Sequence, residues 1–143
     1  MTTKREVSVL IPYYKENDKV FVFMQKRSKD AKRIPDYFGF FGGGLENGEN
    51  PEDGLKREIK EELNIELTNM HKFFNKYEFY GSIVNVFSLE VDKDFKNKTE
   101  ILEGQYGKFM SEEDIDGEDK IIPQDRLILG NFLGLLERDN PYL

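Results

Sequence analysis

The sequence predicts an α/β fold in which helices cover a mixed β-sheet on both faces. Three observations carry that expectation. β-Branched and aromatic runs recur along the chain, one strongly signalled helix interrupts them, and an amphipathic stretch closes the sequence. At 143 residues the chain fits one domain, 1–143, with a single core.

The elements follow in order. Val7–Tyr14 (VSVLIPYY) and Val20–Gln25 (VFVFMQ) read as strands, and the polar Lys15–Asp18 (KEND) between them reads as a hairpin turn. The second run is apolar on both faces, which predicts a central strand covered from both sides. Residues 26–37 form a polar connection broken by Pro35. The glycine-dense, aromatic stretch Phe38–Gly44 (FGFFGGG) is expected to be a loop. After it comes a helix start: Asn50 as N-cap, Pro51 at the first helical position, and Glu52 and Asp53 at the positive end. The helix is expected from about Pro51 to Leu63, with Asn64 as a left-handed terminator. Gly54 inside it costs about 1 kcal/mol relative to Ala, so close packing is expected there.

Residues 75–92 read as two strands broken at Gly81-Ser82, and residues 93–105 as a charged connection into a short strand near Tyr106–Met110. Ser111–Ile115 reads as a capped turn of helix. In Pro123–Arg138, Leu129, Phe132, Leu133 and Leu136 recur at helical spacing, the pattern of a closing helix packed on the sheet.

Composition narrows the function. The 21 basic and 28 acidic residues give a net charge of −7, which argues against a non-specific grip on DNA or RNA, because that needs basic surface to displace counterions. A small anionic ligand bridged by metal is compatible with it. There are no cysteines, hence neither disulfides nor thiolate chemistry. No apolar stretch of signal-peptide length opens the sequence and no run of about 18 apolar residues occurs. A soluble cytoplasmic protein without a membrane span is the expectation.

The central helix is where chemistry concentrates. At about 100° per residue, Leu55, Ile59 and Leu63 fall on one apolar arc and Glu58, Glu61 and Glu62 on the adjoining one, while Lys56, Arg57 and Lys60 lie elsewhere. Like charges at contact spacing repel. A hard divalent cation reverses that penalty, since Mg²⁺ prefers carboxylate oxygens, water and phosphate. Charge pattern alone also fits an ordinary exposed helix; the preceding loop is what separates the two.

Gly43, five residues, Glu49, seven residues, and then Arg57-Glu58-Ile59-Lys60-Glu61-Glu62-Leu63-Asn64-Ile65 resemble the signature of the Nudix hydrolases (MutT-like proteins). Every specified position matches except Asn64, where the pattern has Gly; Asn also takes the left-handed conformation a helix end requires. Phe41-Gly42-Gly43 also departs from the Pro-Gly-Gly of many relatives. The stretches MQKRS and EGQYGKFMSEEDI resemble family segments more weakly.

The resemblance implies a Nudix-type α/β/α sandwich and a Mg²⁺-dependent (or Mn²⁺-dependent) hydrolase cleaving a pyrophosphate bond in a nucleoside diphosphate linked to another group. It implies Glu58, Glu61 and Glu62 as metal ligands and catalytic residues, one of them or an acid from a later loop acting as general base, with the Gly42 carbonyl and Glu103 as further metal contacts and Glu100 behind Glu103. Gly43, Glu49 and Arg57 take supporting roles, with Arg57 paired to Glu49 and directed away from the acidic arc. Arg27 is a candidate phosphate contact. Phe41, among several aromatics, is a candidate for stacking on a base. The partner expected is a small nucleotide, not a nucleic-acid polymer or a membrane; a homodimer is left open. The alternative is a non-catalytic Nudix domain that binds a nucleotide or a partner protein. An isoprenoid diphosphate isomerase is disfavoured by the missing cysteine.

Overall fold

The computed structural model describes residues 4–138. β1 (Arg5–Glu16) and β2 (Lys19–Lys26) form the first hairpin, in antiparallel register from Tyr13↔Val22 to Glu16↔Lys19. Its turn is Asn17-Asp18, both at positive φ (53° and 63°), a conformation these two residue types tolerate and one whose twist suits a two-residue hairpin.

β1 and β2 then diverge, and the glycine-rich segment enters the fork. β3 (Phe38–Gly39) pairs with β2 at Gln25 and Lys26, and β4 (Phe41–Gly44) pairs with β1 from Leu10↔Phe41 to Val7↔Gly44. The expected loop is therefore extended, ladder-bonded backbone. Glycine weakens a strand, so the signal was hidden. It is needed at Gly42, where φ is 137° and a Cβ would stand 2.1 Å from the Ser8 carbonyl oxygen.

α1 (Pro51–Leu63) follows, then β5 (Lys72–Phe79), β6 (Ser82–Glu90), a 3₁₀ turn (Phe95–Lys98), β7 (Tyr106–Ser111), α2 (Glu112–Asp116) and α3 (Pro123–Arg138). β6 lies parallel to β1, and the other pairings are antiparallel, so the seven-stranded sheet is mixed. β7 flanks β2 on one side and β5 closes the opposite edge.

The sheet divides the interior in two by strand alternation. Leu10, Phe23, Phe41 and Phe87 point to α1 and meet Leu55, Ile59 and Leu63. Ile11, Val22, Met24, Val84 and Val86 point to the other face and meet Ile128, Leu129, Phe132 and Leu133 of α3. The three α1 residues are fully buried, each worth roughly 1.5–3 kcal/mol in apolar transfer. The cost of Gly54 has its reason in packing: a Cβ there would lie 2.2 Å from Leu45 Cδ2. Among the described residues no helix is long and apolar enough to cross a membrane.

Candidate active site

α1 is fixed at both ends. Asn50 caps its N-terminus by accepting the Asp53 amide, and the Ser8 hydroxyl on β1 donates to the Pro51 carbonyl at 2.8 Å. At the other end Asn64 stands in the left-handed region (φ 55°, ψ 36°), while the amides of Leu102 and Glu100 take the Glu62 and Leu63 carbonyls. Those carbonyls have no partner within the helix itself. The helix therefore presents its acidic arc to the fork of the sheet at a fixed height.

Glu62 is the innermost acid, 2% exposed. Its Oε1 accepts the Gly42 amide at 2.9 Å and its Oε2 accepts Gln25 Nε2 at 3.3 Å. Burial pushes its carboxyl up to about 8; the Gly42 amide opposes the shift, and the charges of Glu103 and Glu58 add to it. Glu58 is raised as well, first by burial and against the pull of Arg57, with Glu61 and Glu103 contributing. Glu61 stands half exposed at the rim.

Arg57 corrects one expectation. Its guanidinium does grip Glu49 with a two-bonded fork, Nε and Nη2 each 2.9 Å from a carboxylate oxygen, and Nη2 also donates to the Gly44 carbonyl at 2.9 Å. Yet it does not turn from the acidic arc: Nη1 lies 3.0 Å from Glu58 and 3.4 Å from Glu61. A fork with five donors serves both sides at once. Glu49 is held at about 2, chiefly by Arg57, and so is ionised throughout the physiological range.

Phe41 is a second correction. Its side chain is fully buried, stacked on Phe23 at 5.4 Å between centroids, and has no face left for a base. Arg27 donates from Nη2 to the Arg33 carbonyl, and its buried Nε has no hydrogen-bond partner among the described residues. Glu103 reaches the site by charge and through its backbone carbonyl, which accepts Gln25 Nε2 at 3.0 Å. Glu100 meets the Asn64 side chain instead.

Two residues escaped the sequence reading. Gln25, at the end of an apolar run, orients Glu62. Asp125, at the start of α3, accepts the Phe40 amide at 3.1 Å, and burial raises its carboxyl to about 6. Clefts of about 250 Å³ between α2 and α3 and about 510 Å³ near Tyr14 and Val91 share no residue with the carboxylates, so neither is the site.

A helix bearing three adjoining acids, a Glu49–Arg57 fork and a glycine strand beneath them is the arrangement the signature implies. The family model for the NUDIX domain matches residues 4–130. The chain belongs to the Nudix family. It is 33% identical over 95 residues to an oxidized purine nucleoside triphosphate hydrolase of Mus musculus, covering 63% of this chain and 57% of that protein. Its fold matches the MutT protein of Methanosarcina mazei (TM-score 0.70, 19% identity, 98% of this chain and 97% of that one). It also matches the NUDIX domain of Shewanella oneidensis NrtR, complexed with ADP ribose (TM-score 0.73, 12% identity, 94% and 90%).

Whether these Nudix residues suit a divalent cation is a question of donor chemistry. Among the described residues no three acids close on one point as a finished cage. Arg57 draws Glu58 and Glu61 to itself, and Glu62 is turned to Gly42. The donors are nonetheless all hard oxygens. Gly43 leaves room for the Glu58 carboxylate, whose carbon would lie 2.6 Å from any Cβ there. Glu62 and Glu58 are raised partly by their acidic neighbours, a repulsion that a cation relieves. The set fits.

Proposed function

We propose that this Nudix domain, acting as one domain, hydrolyses a pyrophosphate bond in a small nucleotide of the cytoplasm, using Mg²⁺ or Mn²⁺. The observation that carries the reading is the buried Glu62, its carboxyl raised chiefly by that burial, beside Glu58 and Glu61 on one face of α1, over a strand with no side chains at Gly42 and Gly43. A pyrophosphate repels an attacking hydroxide, so its negative oxygens need a counter-charge held in place.

Glu58, Glu61 and Glu62 would hold the cation, with the Gly42 carbonyl and Glu103 as further oxygen donors. When bound, the cation neutralises phosphate charge and lowers the pKa of a water. The chain's own residues supply position. Gln25 and the Gly42 amide aim Glu62. Glu49 and the Gly44 carbonyl fix Arg57, which in turn restrains Glu58 and Glu61. An acid of this cluster accepts the proton of the attacking water.

The test is a panel of nucleoside triphosphates, nucleotide sugars, ADP-ribose and dinucleoside polyphosphates incubated with Mg²⁺ and scored for released phosphate or pyrophosphate. Product from at least one class is expected, reduced by orders of magnitude in Glu61→Gln and Glu62→Gln with the fold retained. Tight binding without product from any class, or full turnover in both variants, contradicts the reading.

A further inference from the structure

The connection between β2 and β3 carries a charge pattern the catalytic reading does not use. Residues 26–33 hold five cations in eight positions, within a chain of net charge −7. Lys29, Lys32 and Arg33 are exposed, and among the described residues none of the three makes an ion pair. Lys4, Lys56, Lys93 and Lys98 each face a carboxylate, while Lys72 and Lys76 on β5 are exposed and, among the described residues, make no ion pair either.

A run of unpaired cations is by default a solvated surface. This one is built differently. Ala31 and Asp36 donate their amides to the Ser28 carbonyl, and the Arg27 amide donates to the Tyr37 carbonyl at 2.8 Å. Ile34 sits at φ 45°, a left-handed conformation that a β-branched residue avoids unless its surroundings impose it. Two residues on, Asp36 is also left-handed and is held by its side chain. Its carboxylate accepts Gln105 Nε2 at 2.7 Å and Lys120 Nζ at 3.3 Å, with Lys26 Nζ 3.7 Å away.

The loop is also joined to the acidic site. It leaves β2 at Arg27, two residues and roughly 7 Å beyond Gln25, which touches Glu62. The turn at residues 103–105 holds both: the Glu103 carbonyl accepts Gln25, and Gln105 donates to the Arg27 carbonyl and to Asp36. Gly104 (φ +84°) lets this turn press on β2, where a Cβ would stand 2.8 Å from the Lys26 carbonyl oxygen.

We propose that residues 27–37 form a preformed anion-binding arm in which Lys29, Lys32 and Arg33 grip the terminal phosphates of the substrate. A nucleoside triphosphate or longer polyphosphate is then favoured over a nucleotide sugar. The proposal rests on the hydrolase reading for the word substrate, but its anion site stands apart from turnover. Three cations on a pinned loop lose less freedom on binding than the same side chains on a mobile one.

The experiment is a calorimetric titration of inorganic tripolyphosphate into the full chain in EDTA, where no metal-dependent hydrolysis contributes. Saturable binding is expected, weakened at least tenfold in the triple variant Lys29→Ala/Lys32→Ala/Arg33→Ala. It should stay within twofold in Lys72→Ala/Lys76→Ala, which removes exposed cations from β5 at the far edge of the sheet. Three results overturn the proposal: no saturable binding by the wild type, unchanged binding in the triple variant, or an equal loss in the β5 variant. A nucleotide panel without product would sink the hydrolase reading and leave this titration interpretable.

Discussion

The Glu62 carboxylate lies 2.9 Å from the Gly42 amide, so the buried acid of α1 is tied to the fork between β1 and β2. The tie comes with a carboxyl raised to about 8 against an ordinary 4.5. A group whose folded pKa is raised favours the fold fully below the unfolded value and loses that contribution as pH climbs through the folded one. The metal-free protein should therefore melt at progressively lower temperature between pH 5 and 8.5. Glu62→Gln should flatten that slope, and added Mg²⁺ should stabilise the wild type most at the upper end. Thermal melts in EDTA and in Mg²⁺ check all three.

The two glycines of β4 should separate fold from chemistry. Gly42→Ala drives a Cβ into the Ser8 backbone, and should cost about 3 kcal/mol or more. For Gly43→Ala the three atoms nearest the added Cβ all belong to the end of the Glu58 side chain. That variant should fold nearly as well as wild type while binding Mn²⁺ at least about tenfold more weakly, as expected when a ligand's support is displaced. Urea denaturation beside metal titration reads both.

Asn64 tests the one departure from the signature. At φ 55°, Asn64→Gly should change stability by less than about 0.5 kcal/mol, whereas Asn64→Val should cost about 1–2 kcal/mol by forcing a β-branched residue into the left-handed region. Denaturant midpoints decide between them.

Asp125 should leave a mark at lower pH. Its carboxyl is raised to about 6 from 3.8 by burial, so its contribution is complete below 3.8 and is lost as pH rises through 6. Asp125→Asn, which can still accept the Phe40 amide, should remove this part of the pH dependence between about 4 and 6. Melting curves across that range give the answer.

The sequence disclosed what local chemistry controls. α1 runs from Pro51 to Leu63 as read, because Asn50, Pro51 and Asn64 mark its ends within a few residues, and Leu55, Ile59 and Leu63 fix its buried face. α3 was legible for the same reason. The β3–β4 segment was not, since its ladder depends on where β1 and β2 part, which no property of FGFFGGG reveals. Gln25, Gln105 and Asp125 were hidden by distance along the chain: their partners lie 37, 69 and 85 residues away. Phe41 looked available for a base because composition cannot say which aromatics of a sheet face inward. Arg57 was assigned its Glu49 partner and not Glu58 and Glu61, because helical spacing gives the direction of a Cβ but not the reach of a guanidinium.

The most direct measurement is Mn²⁺ binding, followed by electron paramagnetic resonance with a slowly hydrolysed nucleotide analogue present. Wild type should take up the ion at a saturable site, and Glu58→Gln, Glu61→Gln and Glu62→Gln should each weaken it strongly while remaining folded by circular dichroism. Equal Mn²⁺ uptake by wild type and all three variants would contradict the account.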